Sequence, residues 1–527
     1  MLHSEYTPMN HLLKLPIGIQ DFRKLREGGF VYVDKTKYIY QLLQEGTVYF
    51  LSRPRRFGKS LLISTLEAIF KGQSELFKET WIDTSDYAWM EYPVIRLDMS
   101  QMSKNNINDF KMALLQNVMT IAQQYHIDLL HPVVDAATAL NSLINELGKK
   151  QKVVVLIDEY DKPILDNLAD MELATAMRDV LRQFYTILKA QDGNLRFVLL
   201  TGVTKFSRVS IFSGLNNLQD LTMTDKYAAI CGYTQTELVH VFDPWIQLLS
   251  KKQNTLVEAQ YEKIKLWYNG YQFSPEGERV YNPFSTLLLF EQQIYKPHWF
   301  VTGTPTFLID LIEAAHFNPE EMESLEVSDA DFENHDVASM GLVALLYQTG
   351  YLTIKHYDAE LRLYKLGYPN FEVQESFVKT LFERLSRAPS QDQMRFLSDM
   401  AHSIRAGDYD KMFSALKTFY AVIPYELYQD NEKHYQTIFY LIFHLVGCRV
   451  NAEVSTNRGR MDAILELKDR ILIFEFKLNK SADTALQQIH DKQYYQYYQS
   501  LSKTIVLFGV NFDTTQRNIT EWKSETI

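Results

Sequence analysis

The chain is 527 residues long, more than one hydrophobic core can serve, and length alone predicts about three domains. Hydrophobic residues make up 46% of it and charged residues 23%, the balance of a soluble globular protein rather than a disordered one. A net charge of −11 excludes a surface coated with DNA-binding cations, although a local basic groove is compatible with it.

Only two cysteines occur, Cys231 and Cys448, so no disulfide framework holds the fold and a reducing cytoplasm is expected. The opening residues, Met1 to Tyr6, are polar and lack the apolar core of a signal peptide. Ile438 to Val450 is the longest largely apolar stretch; it is too short to span a bilayer and contains His444 and Arg449. A soluble cytoplasmic protein with no membrane partner is the expectation. The 32 tyrosines and 31 phenylalanines are read as core and interface, because no basic stripe accompanies them.

In chain order, Leu15 to Phe22 reads as a turn before a helix start, and Asp34 or Thr36 caps a helix running through Leu43. The apolar run at Tyr49-Phe50-Leu51 then enters Ser52-Arg53-Pro54-Arg55-Arg56-Phe57-Gly58-Lys59-Ser60-Leu61. Leu62, Leu66, Ile69 and Phe70 give the following helix one buried stripe. Strand, turn and helix in this order aim free backbone N–H groups and a helix N-terminus at one point, which suits a phosphate chain. Lys59 would reach the β- and γ-phosphates, and the Ser60 hydroxyl would ligate Mg²⁺. The pattern G-x-x-x-x-G-K-[ST] is incomplete, because Arg53 occupies its first glycine position.

Val94 to Asp98 is a second strand, followed by an amphipathic helix around Phe110 to Ala122. Val153 to Ile157 is five apolar residues ending at Asp158-Glu159, which predicts a strand buried on both faces of a parallel sheet. Two carboxylates at such a strand end need a partner. In a P-loop ATPase, Asp158 would hold Mg²⁺ and Glu159 would polarise the attacking water; an exposed acidic loop is the competing reading. A long helix from Leu173 to Ala190 leads to a third buried strand, Phe197 to Gly202. In ring-type ATPases the strand beside the acidic one carries a polar residue that senses the γ-phosphate. Thr201 or Thr204 fits that place, and Arg208 fits a phosphate contact in cis or in trans; a capped turn explains each equally well.

Three strings together resemble the predicted AAA-ATPase-like family of bacterial proteins. They are Arg53 to Ser60, Asp158-Glu159-Tyr160-Asp161-Lys162-Pro163, and Thr201 to Ser207. Trp267-Tyr268-Asn269-Gly270-Tyr271, Tyr281-Asn282-Pro283-Phe284-Ser285 and Thr302-Gly303-Thr304-Pro305 agree with it. The resemblance covers about Leu15 to Leu308 and accounts for Arg53, since the family's loop usually reads this way. It implies ATP and Mg²⁺ as cofactors, with Arg53, Arg56, Phe57, Gly58, Lys59, Ser60, Leu61, Asp158 and Thr201 around the nucleotide. Ring-type relatives share sites across subunits, which admits a homo-oligomer.

Thr234-Gln235-Thr236-Glu237 is a capping box opening a helix through Val241, and further short helices follow as a lid. Val337 to Gln348 reads as a helix, Tyr351 to His356 as a strand and Leu361 to Leu366 as its hairpin partner, a winged-helix-like module. Phe371 to Leu385 and Asp392 to Ala421 read as a helical connector.

The last segment places Glu432 near the start of a helix through Val446, then a turn and strand from Arg458 to Leu467, then a return strand from Ile471 to Leu478. Side chains alternate along a strand, so Ile471, Ile473, Glu475 and Lys477 share one face. Asp462 on the paired strand approaches the same point. Two carboxylates and a lysine converging there would hold a hard cation and orient water against a phosphodiester; a cross-strand salt bridge is the alternative. Asp462 and Glu475-Phe476-Lys477 with the following helix resemble the PD-(D/E)XK nuclease superfamily. The resemblance implies Asp462 and Glu475 as Mg²⁺ ligands, Lys477 beside the nucleophile, a further ligand from Glu432, and Gln488 on the next helix. Arg458, Arg460 and Lys480 offer a modest basic rim for DNA phosphates.

The expected architecture is α/β. A P-loop NTPase parallel sheet occupies residues 1–230, a helical lid and winged-helix-like connector 231–425, and an α/β PD-(D/E)XK nuclease-like domain 426–527. Two functions compete. One is an ATP-hydrolysing protein with a Mg-dependent nuclease that processes DNA under nucleotide control. The other is a nucleotide-dependent switch whose nuclease-like domain binds nucleic acid or protein without cleavage.

Overall fold

The computed structural model describes residues 12–102, 105–129, 135–168, 170–205, 215, 217–299, 321–329, 341–386, 390–423, 431–456 and 459–527. The chain forms two compact units, Met1–Ala315 with Ser324–Val373, and His316–Glu323 with Gln374–Ile527.

The first unit is built on a parallel sheet of β1 (Val48–Ser52), β2 (Val94–Asp98), β3 (Val153–Asp158), β4 (Leu195–Gly202) and β5 (Gln219–Asp220). Every residue of β1 and β3 is buried, as runs of Val, Ile and Leu in a sheet covered on both faces require. The order is β2-β3-β4-β1-β5, with all neighbours parallel. β4 therefore lies between the strand that enters the phosphate loop and the strand that carries the two acids. Both strand ends face one crevice at the carboxyl edge, where α/β sheets bind ligands.

Helix α1 (Lys59–Phe70) follows the loop directly. Val153, Val155 and Ile157 of β3 share a core with α2 (Ile107–Gln124), α3 (Ala136–Gly148) and α4 (Met171–Ala190), through residues such as Phe110, Leu143 and Leu181.

The helices expected to form a lid share a separate core. Leu238, Phe242 and Ile246 of α5 (Gln235–Gln253), Ile264 and Tyr268 of α6 (Val257–Tyr268), and Leu287 and Phe290 of α7 (Pro283–Gln292) pack with Val31 and Val33. The capping box at Thr234 and Glu237 is formed, but the helix runs twelve residues beyond the expected end at Val241. The stripe Leu238, Phe242, Ile246, Leu249 continues unbroken and buries the helix through Pro244. The unit also carries α8 (Leu342–Thr349) followed by β7 (Thr353–Asp358) and β8 (Leu363–Gly367), the helix and hairpin expected from the sequence, with β6 (Leu325–Ser328) as a third strand beside β8.

In the second unit the predicted helix Asp392 to Ala421 is two helices, Ser390–Ala406 and Tyr409–Val422. The chain turns at Gly407, and Asp408 caps the second helix. Helix α9 (Glu432–Leu445) precedes a sheet of β9 (Arg449–Thr456), β10 (Gly459–Glu466), β11 (Arg470–Leu478), β12 (Thr504–Asp513) and β13 (Asn518–Thr526) in the order β13-β12-β11-β10-β9. β11 and β12 are parallel, joined across the sheet by α10 (Ala482–Lys492); the other pairs are antiparallel.

Period-two alternation sorts β11 as its sequence demands. Ile471 and Ile473 pack with Ile489 of α10, while Phe474 and Phe476 meet Phe439 of α9 at ring centroids 4.8 and 4.9 Å away. A Cβ on Gly509 of β12 would stand 2.2 Å from the Ala482 carbonyl oxygen, so only glycine lets the start of α10 lie on the sheet.

Candidate nucleotide and metal sites

The phosphate loop turns on Gly58. It caps α1 with φ +93, a conformation other residues adopt at a cost, and the preceding Arg56 is also left-handed at φ +68. Lys59 is 6% exposed and folds back under the loop, its Nζ donating to the carbonyls of Arg53 at 2.8 Å and Pro54 at 3.0 Å. Burial lowers its pKa, while Asp158, Glu159 and Asp161 oppose the shift.

Arg53 stands apart from the other loop residues. Its guanidinium is buried and donates to the carbonyls of Ser52, Thr222 and Tyr227 at 2.8, 2.9 and 3.1 Å, and it lies over the Phe273 ring at 4.2 Å. In the structure it ties the end of β1 to the 222–228 segment and does not line the cavity, so the geometry argues against the expected contact with nucleotide.

A cavity of about 330 Å³ opens in front of the loop. Arg56, Gly58, Lys59, Ser60, Leu61 and Glu159 all line it, and Phe284 and Leu287 of α7 supply an apolar wall. Arg56 lies over the Phe284 ring at 4.8 Å. Phe57 points the other way, edge-on to Tyr271 at 4.7 Å, as a core residue.

Behind the cavity, Asp158 is 3% exposed and its Oδ1 accepts from Thr201 Oγ1 at 2.6 Å. Thr201 thus touches the acid directly from the neighbouring strand. Glu159 follows with φ +52, a left-handed conformation found at functional turns, and burial raises its pKa against the pull of Lys59.

Thr204 lies one step deeper, and the residue that holds it is Asp161, to which the sequence motifs assign no role. Asp161 Oδ2 accepts from Val203 N, Thr204 N and Thr204 Oγ1 at 3.0, 2.6 and 2.7 Å, clamping the end of β4 to the end of β3. Its signal is present in the spacing Asp158-Glu159-x-Asp161.

In the second unit the register Ala463↔Phe474 of β10 and β11 ends one step before Asp462 and Glu475. There the ladder opens, and Asp462 Oδ2 takes the Phe476 N–H at 2.7 Å. Glu475 is 1% exposed; its Oε1 accepts from Lys477 Nζ at 2.8 Å, and Lys477 also donates to the Phe476 carbonyl at 2.9 Å. Glu475 Oε2 is buried without a hydrogen-bond partner among the described residues.

Burial lifts the Asp462 carboxyl to about 7, and the neighbouring Glu475 adds to the rise. Glu475 is also raised, by burial first and against Lys477; Glu432, half-buried in the first turn of α9, pushes both upward. Burial raises the pKa of both Glu475 and Tyr494, and Gln488 of α10 lies close enough to both to oppose the rise. Tyr494, which no motif in the sequence singles out, closes the site from the segment after α10.

Comparison with known proteins fits this geometry. A family model described as Predicted AAA-ATPase matches residues 16–212, and one described as PD-(D/E)XK nuclease superfamily matches residues 430–522. A protein of the bacterium Azotobacter chroococcum mcd 1, named "Uncharacterized protein in vnfD 5'region", is 38% identical over 529 residues, spanning 98% of this chain and 99% of its own. The chain belongs to the AAA-ATPase-like family. The solved Aeropyrum pernix ORC2 protein, in ADPNP-ADP complexes, covers 65% of this chain and 91% of its own at 11% identity; its TM-score of 0.26 is too low to bear on the fold.

Within this AAA-ATPase-like chain some expected residues lie outside the described ones: Arg208, Thr302 to Pro305, Arg458 and the side chain of Arg460. Among the described residues no group of three or more His, Cys, Asp or Glu side chains could hold a metal ion. The donor set in the second unit is therefore two carboxylates, Asp462 and Glu475, with one buried oxygen unpartnered among the described residues. Hard carboxylate oxygens of this kind suit Mg²⁺ when water and substrate oxygens complete the shell. No described helix is long and apolar enough to cross a membrane.

Proposed function

We propose that this AAA-ATPase-like protein binds and hydrolyses ATP with Mg²⁺, and that its PD-(D/E)XK domain is a Mg-dependent nuclease processing DNA under nucleotide control. The nucleotide function is assigned to residues 1–230, the lid and connector to 231–425 and the nuclease function to 426–527. One observation carries the nucleotide reading: Gly58, Lys59, Ser60 and Glu159 line a single cavity, with Asp158 and Thr201 bonded to each other behind it.

Lys59 neutralises phosphate charge once it exchanges the Arg53 and Pro54 carbonyls for phosphate oxygens. Ser60 and Asp158 would hold Mg²⁺, Glu159 would take the proton from the attacking water, and Thr201, bonded to Asp158, would fix its carboxylate. Arg208 is proposed as a phosphate contact, which a homo-oligomer would supply in trans.

In the nuclease domain Asp462 and Glu475 would hold the metal; Glu432, expected as a further ligand, forms no three-carboxylate group with them among the described residues and acts on their charge instead. Held there, Mg²⁺ would supply activation of water for attack on a phosphodiester. Lys477, bonded to Glu475, would steady the nucleophile, and Gln488, close to Glu475, would help orient that carboxylate.

Wild type should hydrolyse ATP, and Lys59→Ala should abolish turnover. Glu159→Gln should keep ATP binding while slowing hydrolysis at least about a hundredfold. With Mg²⁺, the protein should nick plasmid DNA and Lys477→Ala should not. Nicking unchanged by that substitution would leave the domain a binding module, the competing reading.

A further inference from the structure

Two sequence blocks, Trp267 to Tyr271 and Tyr281 to Ser285, contribute nothing to the chemistry above beyond the Phe284 wall. Both surround one buried carboxylate. Glu372 is 0% exposed, the second residue of the helix Phe371–Ser386. Its Oε1 accepts from Ser285 Oγ at 2.8 Å and from the Trp299 backbone N–H at 2.7 Å. The Trp299 indole Nε1 in turn donates to the carbonyl of Arg55 at 3.0 Å.

Arg55 belongs to the phosphate loop and lines the nucleotide cavity. Ser285 lies in the first turn of α7, between Phe284 and Leu287, which wall the same cavity. The neighbourhood is tightly fitted: the Phe371 ring meets Trp267 edge-on at 4.8 Å, and a Cβ on Gly270 would stand 2.1 Å from the Pro369 carbonyl oxygen. One carboxylate thus joins the lid helix to the backbone of the phosphate loop through a single tryptophan.

We propose that Glu372 is a positioning residue for nucleotide binding. With Trp299 it forms a strut that sets the distance between the phosphate loop and the lid wall. A buried carboxylate is costly unless bonded, so the cost is met only where two elements must be held in one geometry. The loop carbonyls of Arg53 and Pro54 are taken by Lys59. That of Arg55 is taken by Trp299, so the loop is held from both sides. The strut also fixes the start of the helix that leads out of this compact unit at Val373.

This inference rests on the ATP-binding reading, and the two fail separately. The experiment measures ATP affinity by titration calorimetry, steady-state hydrolysis, and the melting temperature with and without MgATP. The full-length proteins compared are wild type, Trp299→Phe, Glu372→Gln and Glu372→Ala. Trp299→Phe keeps the backbone bond to Glu372 and removes the indole donor together with part of a buried ring that packs on Tyr351.

ATP affinity is expected to fall about three- to tenfold in Trp299→Phe and about tenfold or more in Glu372→Ala. Glu372→Gln, which keeps an acceptor oxygen, is expected to stay within about threefold of wild type. The melting-temperature gain on adding MgATP should shrink in the same order. Should Glu372→Ala fail to fold, the Trp299→Phe affinity alone decides. Wild-type affinity and an unchanged MgATP gain in the folded variants, even with lowered melting temperatures, would overturn the strut. Wild type that fails to bind ATP would instead overturn the reading beneath it.

Discussion

At the scale of single residues, the chemistry lies in short strings that read the same alone as in the fold. Gly58-Lys59-Ser60 and Glu475-Phe476-Lys477 carry their geometry locally, through a loop that must become a helix and a strand that must alternate. Asp462 adds a pH dependence. Its folded pKa of about 7 lies above that of an exposed aspartate, because burial and Glu475 disfavour its charge. Between those two values the folded chain binds more protons than the unfolded one, so without divalent cation stability should fall as pH rises towards 7. Asp462→Asn should flatten that slope in melts between about pH 4 and 7. Metal-dependent nicking should rise over the approach to pH 7, where the carboxylate becomes available as a ligand. Arg53 was illegible for the opposite reason: its accepting carbonyls at Thr222, Tyr227 and Ala228 lie 169 to 175 residues away, and nothing near Arg53 announces them. Asp161 was visible as a spacing, but its Val203 and Thr204 partners lie just past the end of another strand, β4.

Among the elements, β1, β2, β3, β4 and β11 were legible because continuous apolar runs or strict alternation leave one reading. β9, β12 and β13 were not legible in this way. Thr504–Asp513 is buried along most of its length, as β3 is, yet without a motif at its end it offered no reason to single it out. Helix ends were the least legible, as at α5, where a proline within an unbroken apolar stripe misleads local rules. The packing of α10 on the sheet yields a prediction at this scale. Gly509→Val would drive a side chain into the Ala482 carbonyl and the Leu486 side chain. The second unit should then melt at lower temperature by differential scanning calorimetry, while ATP affinity, a property of the other unit, stays at the wild-type value.

For the whole molecule, the chain divides into two compact units, and each carries one of the two candidate sites. Native mass measured with and without MgATP should increase with nucleotide if Arg208 acts across subunits, and stay constant if each chain is self-sufficient. The order of strands has a further consequence, for synthesis on the ribosome. Among the described residues β1 bonds only to β4 and β5, so the phosphate loop's own strand finds its full partner once β4 has emerged as far as Gly202. In the meantime β2 and β3 can already pair with each other. A nascent chain halted between β3 and β4 would expose Val48–Ser52 as a bare apolar edge, a template for unwanted pairing. The strand order that places β4 at the centre of the sheet therefore makes nucleotide binding one of the last properties the first unit acquires.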